Sequence, residues 1–171
     1  RVSEAARTVI FSRAMLVVAV LVLVAMPVLP GPTWLRIATA VACFLAALLC
    51  LGFVVICRDK SRYTPNVAAA GAVGLTALAT TVIYYLGLYS ASATLLTVGI
   101  YFYGSSESRR VARAAYFSTA LCYFVVTLLI AVDAIPDIGV FSVDHVPKSS
   151  RFYRVVMQQV IFGMTFYLAR S

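Results

Sequence analysis

Residues that carry chemistry are scarce in this chain. It holds one histidine, His145, in 171 residues, and one imidazole cannot build a zinc or haem cluster by itself. HExxH, the phosphate-cradling GxxxxGK[ST], GxGxxG and cysteines paired at zinc spacing are all missing. No catalytic residue, cofactor-binding residue or metal ligand is therefore assigned within the segment. The six acidic residues avoid the middle of every apolar run. Ion-coupled transporters and pumps usually bury such carboxylates, so their lack argues against coupled transport, while a passive pore or a lipid-handling protein stays open. The four cysteines, Cys43, Cys50, Cys57 and Cys122, lie inside apolar runs or at their edge, which gives no external disulfide framework. Cys43, Cys50 and Cys57 recur every seven residues and so share one helical stripe, as small packing residues do. Only Cys57 lies where palmitoylation or redox sensing would reach it.

What the chain does have is apolar length. It is 63% hydrophobic and 12% charged, against about 45–50% and about 25% in soluble domains. Six apolar segments can be read: Val9 to Leu29, Trp34 to Cys57, Val67 to Leu88, Ala91 to Tyr103, Ala114 to Ile135 and Phe152 to Leu168. Runs of about 20 apolar residues match a hydrocarbon core of about 30 Å. The expected fold is an all-α membrane protein, one domain over residues 1–171, with spans near 9–29, 34–57, 67–88, 88–106, 114–135 and 152–170. The fourth run is short unless its helix extends from Leu88 to Ser106; a re-entrant segment is the alternative.

The cations set the topology. Arg1, Arg7 and Arg13 precede or open the first run; Arg58, Lys60 and Arg62 separate the second and third; Arg109, Arg110 and Arg113 separate the fourth and fifth; Arg170 follows the sixth. These are ten of the fourteen Lys and Arg. Orientation in membranes follows Lys/Arg bias rather than net charge, so both ends are expected in the cytoplasm of a multi-pass protein of the cell (inner) membrane. Arg36 is the awkward residue, placed on the cation-poor side. A net charge of +8 gathered at helix ends suits anionic headgroups, not nucleic acid. The first run is long and lacks a small-x-small cleavage site, so it reads as an uncleaved span. A start at Arg1 and an end directly behind a helix read as an excerpt of a longer chain.

Polar features inside this frame are few. The longest outer loop runs from Asp137 to Arg151 and holds Asp137, Asp144, His145, Lys148 and Arg151, the candidate sensing residues. His145 titrates between about pH 5 and 8. Asp144 beside it has no nucleophile in a suitable context. Gln158 and Gln159 form the most polar pair in any span and need partners, either as interhelical glue or in a ligand pocket. Ala70 and Gly74 make a small-xxx-small pair, which serves ordinary packing or a homodimer seam.

Two stretches carry a family likeness. Thr97-Val-Gly-Ile-Tyr-Phe-Tyr-Gly-Ser-Ser-Glu-Ser-Arg-Arg-Val-Ala-Arg-Ala-Ala-Tyr116 and Val155-Val-Met-Gln-Gln-Val-Ile-Phe-Gly-Met-Thr-Phe-Tyr-Leu-Ala-Arg-Ser171 resemble the multi-span region of large membrane serine/threonine protein kinases of myxobacteria and their relatives. The resemblance covers about half of the chain and implies a linker and a bacterial Hanks-type kinase domain beyond it, using ATP and Mg. No Gly-rich loop, HRD or DFG is present here, so no catalytic residue carries over. A similar plan precedes some class III nucleotide cyclases. The expected function is thus a sensory or anchoring domain of a signalling protein, with the lipid bilayer as its partner and a stimulus whose ligand the residues do not name. The alternatives are a small transporter, channel or lipid-handling protein, and a cyclase membrane domain. The topology predicts that a cysteine placed at Ser142 labels from outside intact cells and one at Ser61 does not; the reverse pattern would overturn the orientation.

Overall fold

The computed structural model describes residues 4–58, 63–140 and 148–171, with the side chains of residues 148 and 149 left outside that description. All regular structure in these residues is helical. There are six α-helices: α1 (Glu4–Ala25), α2 (Thr33–Ile56), α3 (Pro65–Leu86), α4 (Thr94–Gly104), α5 (Arg109–Ala131) and α6 (Lys148–Arg170). A 3₁₀ turn, Ala91–Ala93, leads into α4.

Local chemistry sets the helix ends. α1 stops at Ala25, just ahead of Pro27, because proline would remove a helical amide and strike the preceding turn. Pro32, extended at φ −60° and ψ 138°, opens α2. Thr64 caps α3, its Oγ1 accepting from the Val67 amide at 3.4 Å, and Pro65 takes the first turn, where a missing N–H costs nothing. Ser108 caps α5 in the same way through the Val111 amide. Gly87, at φ +114°, ends α3 in a conformation that a side chain would strain.

The fourth helical stretch is shorter than the expected 88–106. Gly87 to Ser90 form a turn, Ser90 Oγ accepts from the Ser92 amide at 3.2 Å, and the helix stops at Gly104. Its length from Ala91 to Gly104 is about 21 Å at 1.5 Å per residue, below the thickness of a hydrocarbon core. α3, α5 and α6 pack against it and bury Leu96, Ile100 and Tyr103, while Val98 and Tyr101 face outward.

α1 and α2 form a hairpin, α2 continues onto α3, and α3 packs along α5. Near one end, Phe11 of α1 stacks on Phe102 of α4 with ring centroids 4.2 Å apart, over Ala68, Ala72, Tyr103, Val111 and Ala115. Near the other end, Ile83, Leu96, Ile100, Tyr123, Ile130 and Phe162 close the core. Val140 N donates to Tyr85 O at 2.8 Å and ties the segment after α5 to the end of α3.

The exterior is apolar where a soluble bundle would be polar, and a few hydroxyls lie within the core. Thr8, Ser12, Thr39, Thr76, Thr80, Thr119 and Thr127 are buried, while Val17, Leu21, Phe44, Leu48, Phe117, Leu121 and Met164 face outward. Soluble monomers rarely expose contiguous apolar patches beyond a few hundred Å². Four helices, α1, α2, α3 and α5, are long and apolar enough to cross a membrane. This is a membrane protein. α6 is not among the four: its first half carries Arg151, Arg154, Gln158 and Gln159.

Close approach of α2 and α3 depends on Gly71, where an added Cβ would overlap the Phe53 ring. A Cβ on Gly52, by contrast, meets nothing within 4 Å. Gly71→Ala is therefore expected to lower the thermal midpoint in detergent by the equivalent of about 1–3 kcal/mol. Gly52→Ala should leave it unchanged or slightly raised, so equal midpoints for the two variants would refute this packing.

Candidate functional site

One end of the bundle gathers the cations. Arg7, on the second turn of α1, donates from Nη1 to Ser105 O at 3.3 Å and from Nη2 to Ser105 Oγ at 2.5 Å. The Glu4 carboxylate accepts from Ser106 Oγ at 2.6 Å and from the Glu107 amide. Arg170, at the exit of α6, donates from Nη1 to Ser106 O at 2.7 Å. The four-residue turn between α4 and α5 is thus held from one side by the start of α1 and from the other by the end of α6. Charge-assisted bonds of this kind are the stronger class.

The same end holds two further ties. Arg110 Nη1 donates to Asn66 Oδ1 at 2.7 Å, linking α5 to α3. Thr8 Oγ1 and Tyr63 OH lie 2.9 Å apart, linking α1 to the segment before α3. Burial pushes the Tyr63 phenol up, and the hydrogen bond to Thr8 pulls it partly back. Beneath these contacts lies a cavity of about 20 Å³ lined by Glu4, Thr8, Tyr63 and Tyr103, room for about one water. Of the cations read as topology determinants, Arg58, Arg109, Arg110, Arg113 and Arg170 lie at this end, and Lys60 and Arg62 fall outside the described residues.

The opposite end carries Arg36, Arg151 and Arg154. Arg36, awkward in the sequence, donates from Nη2 to Met26 O at 3.0 Å. It therefore satisfies a carbonyl just past the end of α1, which would otherwise face an apolar medium. Arg151 Nη1 lies 3.9 Å from Asp133 Oδ1. Asp137 sits close enough to Tyr84 and Tyr89 to act on both phenols. Asp144 and His145 fall outside the described residues, and Lys148 is placed only as the first residue of α6. The structure thus brings Asp137 and Arg151 to one end of the bundle.

The glutamines act on two neighbours. Gln158 Nε2 donates to Thr97 Oγ1 of α4 at 3.4 Å, and Gln159 Nε2 donates to Ala120 O of α5 at 3.2 Å. Gln158 also lines a cleft of about 270 Å³ with Leu88, Tyr89, Tyr123, Arg154 and Met157. Both glutamines thus bond to a neighbouring helix, and Gln158 also faces the cleft. Arg154 was not singled out by sequence, because nothing in its spacing separates it from Arg151. The Glu4 and Arg7 contacts were equally hidden, since they join residues about a hundred positions apart.

Among the described residues no group of three His, Cys, Asp or Glu side chains could hold a metal ion. No family model, curated protein or solved structure matches the chain. Functional inference accordingly rests on these contacts.

If Glu4 holds the α4–α5 turn, Glu4→Ala in lipid nanodiscs should speed amide exchange of residues 105–108 by about tenfold or more, given about 1.5–3 kcal/mol for a hydrogen bond to a charged group. Arg13→Ala, at an exposed position on the same helix, should leave that exchange unchanged. Equal protection in both variants would refute the clamp.

Proposed function

We propose that this chain is the six-span membrane domain of a signalling protein, with its cation-rich end in the cytoplasm of the inner membrane. The attached output is a serine/threonine protein kinase, which brings its own ATP and Mg. The observation that carries this reading is the shared grip on one turn: Glu4 and Arg7 at the start of α1 and Arg170 at the exit of α6 all hold Ser105–Glu107. Seven of the ten cations that set the predicted topology lie at that end among the described residues, as anionic headgroups and the positive-inside bias favour.

Such an arrangement suits transmission better than mere anchorage. α6 runs from the polar outer end, at Arg151 and Arg154, to the grip on Arg170. A stimulus that favours one packing of α6 over another shifts the population of states by no more than its differential affinity for them. A shift or rotation of α6 would change whether Arg170 stays on Ser106, and so alter the helix that leads to the output domain. The loop from Asp137 to Arg151, which includes Asp144, His145 and Lys148, or the cleft beside Arg154, receives the stimulus.

The test uses the full-length protein. Replacing residues 137–147 with a neutral linker of equal length is expected to abolish stimulus-dependent phosphoryl transfer to a protein substrate while basal activity persists. Unchanged output in every condition would leave a plain anchor, and no ATP-dependent phosphorylation at all would remove the kinase assignment.

A further inference from the structure

The cleft beside α6 has a composition that packing alone does not require. Its volume is about 270 Å³, and its walls are Leu88, Tyr89, Tyr123, Met157, Ile161 and the stem of Gln158. Among the described residues, Arg154 is the one charged residue lining it. Guanidinium stays ionised under all ordinary conditions, so a half-buried arginine needs an anion or water to offset lost hydration.

The neighbouring polar groups are already committed. Tyr123 OH donates to Leu88 O at 3.1 Å, and Tyr89 OH donates to Thr127 O at 3.3 Å. Ser90 Oγ donates to Gly87 O at 2.6 Å, and Gln158 Nε2 donates to Thr97 Oγ1. Arg151, one turn nearer the end of the bundle, lies against Asp133. Arg154 makes no hydrogen bond or ion pair with any described residue, although its charge reaches Tyr89 and Tyr123. Its five donors are the uncommitted side-chain donors among the described residues of the cleft, which also holds Ser90 and Gln158.

We propose that this cleft is a binding site for an oxyanion carried on a short apolar chain or ring, a small carboxylate amphiphile. Arg154 holds the oxyanion through two parallel N–H donors, the geometry in which guanidinium matches a carboxylate. Leu88, Met157 and Ile161 take the apolar part. The volume lies at the lower limit of small-molecule pockets, about 300 Å³, which suits one short chain and excludes a pair of acyl chains. The same oxyanion chemistry is offered by the phosphate of an anionic lipid headgroup reaching in from the adjoining leaflet. The inference rests on the sensor reading only for its signalling consequence; binding itself does not depend on what α6 is attached to.

The experiment measures binding of octanoate to the full chain in phosphatidylcholine nanodiscs, by calorimetry against empty nanodiscs. Octanoate is expected to bind saturably at one site. Octanol, which lacks the anion, should bind at least about tenfold more weakly, the ratio set by loss of a charge-assisted bond. Arg154→Gln should cost a similar factor, and Arg154→Lys a smaller one. Arg151→Gln should change affinity by less than about threefold. Met157→Trp, which fills the cleft and leaves Arg154 in place, should abolish binding while the thermal midpoint is kept. Equal binding of octanol and octanoate, or full affinity in Arg154→Gln, would overturn the proposal. Repeating the titration with phosphatidylglycerol distinguishes the sources: loss of octanoate binding assigns the site to lipid headgroups, and retained binding assigns it to a free carboxylate. Octanoate binding without any change in kinase output would uphold the cleft and sink the sensor reading.

Discussion

An apolar surrounding leaves each interior polar group dependent on a partner within the protein, and much of this structure follows from that constraint. Water is absent as a fallback in hydrocarbon, so backbone and side-chain groups must satisfy one another. The buried threonines show how. Thr76 and Thr119 bring their hydroxyls to 3.2 Å across the contact between α3 and α5. Thr80 turns back to Thr76 O, and Thr127 to Tyr123 O, using the helix's own carbonyls. Tyr123 donates to Leu88 O in the turn after α3, and Tyr89 donates to Thr127 O within α5. Thr39 departs from the rule, its hydroxyl buried without a partner among the described residues.

The constraint also explains the division of labour between the two ends. At the cationic end, arginines tie neighbouring elements together. Arg7, Arg110 and Arg170 each donate to an oxygen on a neighbouring element, so residues that bias topology also lock the helices there. At the other end, Arg36 has become a cap for α1, which removes the apparent conflict between its charge and its side. Hydrogen bonding therefore accounts for a placement that charge counting cannot.

Much of the fold could be read from residues alone. Apolar runs of about 20 residues gave the long helices, and Pro27, Pro32 and Pro65 marked their limits, because backbone chemistry acts locally. The helices begin before the apolar runs do: α5 starts at Arg109 and α6 at Lys148. A helix does not end where hydrophobicity ends, and capping residues such as Ser108 decide the point. The fourth segment was legible as anomalous but not as to length, since its termination at Gly104 reflects the turn that follows. The functional contacts were the least legible part. Gln158 and Gln159 stood out as polar residues in an apolar run, whereas Arg154 gained its meaning only once α5 and the turn at Gly87 were placed around it. Contacts across such sequence distances have no periodic signature.

The brevity of α4 has an effect on the landscape around it. α4 itself, Thr94–Gly104, is about 16 Å long at 1.5 Å per residue, and the chain enters it from the end of α3 through the turn at Gly87 to Ser90 and the 3₁₀ turn Ala91–Ala93. Peptide groups in that turn are held within the protein: Leu88 O accepts from the Tyr123 hydroxyl, and Gly87 O accepts from the hydroxyls of Ser90 and Ser92. The wall that Leu88 and Tyr89 give to the cleft beside Arg154 is thereby fixed by bonds within the protein.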